Sequence, residues 1–115
     1  MAIERFYMTR GDLAPPYPFR VVDPYNRPVD LTSATIYCTM VSGSGAVKIN
    51  NSTAGIVITD GLAGEAEREW QAGDSDEAGL FQIEFKIKLP TGEPFTVPRE
   101  ADGEAYVEIA HPLAS

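Results

Sequence analysis

One cysteine, one histidine and only nine cations set what this sequence cannot do. With Cys38 alone, no disulfide can form within the chain. Its place in an alternating apolar run predicts a buried thiol rather than a reactive one. A zinc site needs about four ligands, and one Cys with one His serves it poorly. The single histidine, His111, lies four residues from the C-terminus and is a poor general base for a nucleophile. No Walker-type or dinucleotide-binding glycine pattern occurs. The expectation is therefore a non-enzymatic protein with no cofactor and no metal.

Basic charge is also scarce. Nine Lys and Arg stand against 17 Asp and Glu, giving a net charge of −8 and a pI of about 4.5. A phosphate backbone is bound by a basic face, so no nucleic-acid partner is expected. No apolar run approaches the ~20 residues that span a bilayer, so no membrane partner is expected. Residues Met1 to Phe6 lack the apolar core of a secretory signal, which predicts a protein made and used inside a cell, or assembled there.

What is present is a pattern of short strands. A chain of 115 residues, 43% hydrophobic, makes one domain that can bury its own core. Nine prolines and ten glycines divide it into short runs, and no run holds a helical period. Ile3 to Thr9 reads as a first strand and Phe19 to Val22 as a second. The stretch Ala14-Pro15-Pro16-Tyr17-Pro18 lacks N–H donors and predicts extended chain at a sheet edge. Asp23 to Pro28 reads as a turn, with Asn26 suited to positive φ. Ala34, Ile36, Cys38 and Met40 alternate with polar neighbours and face inward. Gly43 to Gly45 is a turn, and Ala46–Ile49 and Ile56–Ile58 are further strands.

Two later runs are sharper. Glu65, Glu67 and Glu69 share one face, which must be solvated, so Ala66, Arg68 and Trp70 take the other and Trp70 anchors the core. Phe81, Ile83, Phe85, Ile87 and Leu89 alternate with polar residues and form the spine of a sandwich. Pro90 to Glu93 is a hairpin turn, and Phe95–Val97 and Tyr106–Ala110 close the sheet with Asp102-Gly103 between them. Seven or more short strands at this spacing predict an all-β antiparallel sandwich.

Single motifs read as structural. Leu31 plugs one end of the sandwich while Asp30 and Thr32 bond nearby backbone. Asp74, Asp76 and Glu77 are spaced for an acidic turn, without the later bidentate glutamate of a calcium loop. Arg10-Gly11-Asp12 reads as a turn rather than as a recognition tripeptide. Pro15, Pro16, Tyr17, Pro18 and Tyr25 are the candidate protein-interface residues, because rigid prolines and exposed aromatics lower the ordering cost of an interface.

Two stretches carry a family resemblance. One is Arg10-Gly11-Asp12-Leu13-Ala14-Pro15-Pro16 followed by Val29-Asp30-Leu31-Thr32-Ser33-Ala34-Thr35-Ile36. The other runs from Trp70-Gln71-Ala72-Gly73-Asp74 through Gly79-Leu80-Phe81 into Glu84-Phe85. Their order and spacing resemble the immunoglobulin-like N-terminal domain of bacteriophage baseplate upper proteins, from about Phe6 to Ile109. The resemblance implies an immunoglobulin-like sandwich of about 7–8 strands. It also implies a virion structural protein that docks onto other phage structural proteins of the tail or baseplate, in several copies, after assembly in the host cytoplasm. The sequence stops where that domain stops, with no stalk or receptor-binding part, which leaves capsid decoration or a neck position as alternatives. A soluble ligand- or glycan-binding sandwich is the second alternative.

Overall fold

A computed structural model describes residues 2–92, 94–97 and 103–113. In chain order the strands are β1 (Ala2–Thr9), β2 (Tyr17–Arg20), β3 (Thr35–Ser42), β4 (Val47–Ser52), β5 (Ile56–Asp60), β6 (Glu65–Arg68), β7 (Gly79–Lys88), β8 (Pro94–Val97) and β9 (Gly103–Ala110). The alternation read from the sequence becomes burial: Phe81, Ile83, Phe85 and Ile87 of β7 are inside, as are Ile36, Cys38 and Met40 of β3. Facing residues pair across the ladder, Ile36 with Ile87, Cys38 with Phe85 and Met40 with Ile83.

The strands form two sheets packed as a β-sandwich. One has the order β1-β9-β7-β3-β4 with β8 also on β7, and the other has the order β2-β6-β5. This order is that of an immunoglobulin-like domain, with β2, β6 and β5 as strands B, E and D and β3, β7 and β9 as C, F and G.

Two details differ from the expectation. The described residues hold nine strands rather than about 7–8, and β1 runs parallel to β9 rather than antiparallel. The two differences meet at one edge. Both β8 and β9 lie antiparallel to β7, on Phe85–Lys88 and on Gly79–Gln82 respectively, so they are two pieces of one interrupted strand. The first strand then joins outside β9 with Ala2 opposite Gly103 and Thr9 opposite Ala110. Glu93 and Asp102, assigned to turns on sequence, lie outside the described residues.

The second strand begins and ends two residues earlier than Phe19–Val22. Val21 and Val22 leave the β6 ladder to close a hairpin: Val22 bridges Pro28, and the Val21 N–H donates to the Gly64 carbonyl at 2.8 Å. Gly64 has φ +70, and a Cβ there would run into the Val21 carbonyl, so this close approach requires glycine. Leu31 is fully buried beside it, its N–H donating to the Gly61 carbonyl at 2.8 Å, as a plug of the sandwich end should be.

An aromatic cluster joins the sheets. Phe19 of β2 stacks on Phe85 of β7 with ring centroids 3.9 Å apart and planes 15° from parallel. Tyr17 meets Phe85 at 5.7 Å, Trp70 at 6.3 Å and Phe6 at 5.2 Å. Such ring pairs contribute about 0.5–1.5 kcal/mol each beyond their area. The Phe19–Phe85 stack sits between strands B and F, where secreted immunoglobulin domains carry their inter-sheet disulfide. Cys38 faces the same core as a free, fully buried thiol, and burial pushes its pKa up to about 12.

Candidate interaction surfaces

The proline segment is a strap over the aromatic cluster. The Trp70 indole N–H donates to the Pro15 carbonyl at 3.0 Å, which fixes both the ring and the strap. Pro15 and Pro18 are exposed and Pro16 is half-buried, but Tyr17 is only 5% exposed. Its reading as an exposed contact residue is therefore corrected: the alternation of β2 sends Tyr17 and Phe19 inward and Pro18 outward. Pro18 is tolerated because β2 is an edge strand, as the missing donors predicted.

Tyr25 is different. It stands 78% exposed at the tip of the hairpin between Val22 and Pro28. Asp23 organises that tip. Its Oδ1 accepts the backbone N–H groups of Tyr25 and Arg27, each at 2.9 Å, and its Oδ2 accepts the Arg27 Nε at 3.0 Å. The Arg27 backbone N–H first, then those of Tyr25 and the guanidinium, hold the Asp23 carboxyl below its ordinary range. Arg27 in turn lies 5.1 Å from the Tyr25 ring centroid. The result is a pre-ordered tip that presents Tyr and Arg, two of the residue types enriched among interface hot spots. The four residues of β2 separate this tip from Pro15 and Pro16, a span of about 13 Å, so the candidate residues do not form one site.

Neighbouring motifs are structural. The Asp30 carboxylate accepts from the Thr32 hydroxyl at 2.6 Å and from its N–H at 2.9 Å, and these bonds lower the Asp30 pKa. The acidic turn at 74–77 is divided between two cations: Asp74 pairs with Arg68 and Asp76 with Lys48. Among the described residues, no three of His, Cys, Asp and Glu come together as a metal site.

Arg68 is what sequence reasoning missed. Its guanidinium is 1% exposed in the core, donating from NH2 to Asp74 Oδ2 at 2.7 Å and from NH1 to the Ala54 carbonyl. The same Asp74 oxygen takes the Gln71 N–H at 2.7 Å. Its Nε has no partner. The inward phase of Arg68 was visible in the sequence, and an inward cation demands a carboxylate. Asp74, six residues on, was the nearest one after Glu69.

The outer faces of the two sheets remain. On β6, Glu65 and Glu67 point outward, with the exposed Glu69 just past its end, flanked by Pro18, Arg20, Val57 and Asp60. On the larger sheet, Arg5, Tyr106, Gln82, Val41 and Val47 lie in one row across five strands. Tyr7 and Leu80 lie in the next row, on either side of Glu108. No protein-family model matches the chain, and no curated protein is significantly similar to it.

Proposed function

We propose that the protein is a bacteriophage virion structural protein, a small immunoglobulin-like module that docks onto neighbouring subunits of the tail or baseplate and performs no catalysis. The observation that carries this reading is the resemblance at Arg10–Pro16, Val29–Ile36 and Trp70–Phe85. In this fold those stretches are the loops and strands that tie the sandwich together: Ser75 donates to the Asp12 carbonyl at 2.6 Å, and the Gly11 N–H donates to the Ser75 carbonyl at 2.8 Å. The resemblance thus falls on interdependent parts of one structure. The rigid Tyr25–Arg27 tip supports a docking role, because a pre-ordered contact loses little entropy on binding. The proposed partners are other phage structural proteins, and the proposed location is the virion, assembled in the host cytoplasm.

Mass spectrometry of purified virions tests the reading. Recovery of the chain at a fixed copy number per particle is the expected result, and its absence from particles would overturn it. Immunogold labelling then separates tail or baseplate from capsid or neck.

A further inference from the structure

We infer that the outer face of the larger sheet is a self-association surface, on which the belt of one copy packs against the belt of a second. The belt crosses all five neighbouring strands: Tyr7 on β1, Tyr106 on β9, Leu80 and Gln82 on β7, Val41 on β3 and Val47 on β4. Tyr7 is 66% exposed, Val47 58% and Leu80 39%. Each belongs to a strand whose alternate residues are already committed to the core, so none is needed to hold the sandwich together. Isolated surface hydrophobics need no explanation, but a contiguous stripe of them marks a contact surface.

Three properties select a second copy as the occupant. The first is charge. The belt's two rows contain one cation and one anion, Arg5 and Glu108, which pair with each other at 2.9 Å, while Glu84, Lys86 and Lys88 lie farther along β7 on the same face. A surface without net charge offers no steering to a strongly basic or acidic partner. The whole chain carries −8, so two copies repel unless they meet through a neutral region. The belt is such a region, whereas Glu65, Glu67, Glu69 and Asp60 forbid the same approach on the opposite face.

The second property is area. At about 3.3 Å per residue and about 4.8 Å between strands, the larger sheet outlines roughly 700 Å² in plan. A stable complex buries ~800 Å² per partner, so the whole face, the belt together with Glu84, Lys86 and Lys88 beside it, approaches the size a second copy needs. The third is composition. Tyrosine is enriched in interface cores and charge is depleted there, and the belt has both features. A symmetric pair joined by one face is also the commonest way identical chains associate. The inference does not rest on the virion reading: a chain absent from particles could pair, and a virion component could be monomeric.

Sedimentation velocity on the full chain over a wide concentration range, at low and at physiological salt, is the test. The expected result is a reversible dimer, with Leu80→Lys and Val47→Lys each weakening it at least tenfold while the circular dichroism spectrum is retained. Glu67→Lys, on the other face, should leave the dissociation constant unchanged. Amide shift changes on dilution, followed on the unaltered chain, should map to β1, β3, β4, β7 and β9. A monomer up to millimolar concentration, a dimer indifferent to both belt variants, or shift changes confined to β2, β5 and β6 would overturn the inference.

Discussion

The two sheets obey the same period-two rule and spend it differently. In the larger sheet every buried position described on β3, β7 and β9 is apolar, and the outward side gathers tyrosine and aliphatic side chains around the Arg5–Glu108 pair at one end and carries Glu84, Lys86 and Lys88 at the other. In the smaller sheet the inward row includes the buried Arg68, and the outward side centres on Glu65 and Glu67 with Asp60, Arg20, Pro18 and Val57 beside them. The larger sheet therefore holds its place by packing alone. The smaller one needs an ion pair to finish its core and shows solvent a strongly acidic face. Burial forces the inner faces to match each other, while nothing forces the outer faces to match, and that is where the sheets differ.

The comparison breaks most severely at the larger sheet's spine. Phe85→Ala removes the ring that stacks on Phe19 and touches Tyr17, and it should cost about 3–5 kcal/mol in urea unfolding. On the smaller sheet, Asp74→Ala strands the buried guanidinium and should also cost about 3 kcal/mol or more. The sharper experiment is the double variant Arg68→Met with Asp74→Leu. If the pair merely compensates a buried charge, the double variant should recover most of the loss seen in Asp74→Ala.

A smaller effect comes from Cys38. Its folded pKa is raised from 9.0 to about 12, so the folded chain holds the thiol proton that the unfolded chain releases. Its contribution is complete below pH 9 and is lost as pH rises toward about 12. Stability should therefore fall over that window in the unaltered chain more than in Cys38→Ala, compared by unfolding at several pH values. The least effect is expected on the acidic face, where Glu67→Lys should change stability by about 0.5 kcal/mol or less.

The alternations at Ile36–Met40 and Phe81–Ile87, the inward Trp70, the Asp23 turn and the Leu31 plug were all legible in the sequence. Each depends on neighbours a few residues apart. The parallel joining of β1 to β9 was not legible, because it brings together residues about a hundred positions apart with no local signal of direction. Tyr17 was misjudged because three prolines around it suggested surface, while its burial depends on Trp70 and Phe85 from distant strands. The belt was hidden for the same reason. Tyr7, Leu80 and Val47 are unremarkable singly and become one surface only when the sheet order is known.

The Phe19–Phe85 stack has a consequence for how the molecule comes apart. A disulfide between those strands would act largely by restraining the unfolded chain, and its benefit would vanish under reducing conditions. Two stacked rings leave the unfolded chain unrestrained and do not respond to redox potential. The domain should hold the same midpoint of unfolding with or without a reductant, so its stability is set by packing and not by the redox state of its surroundings.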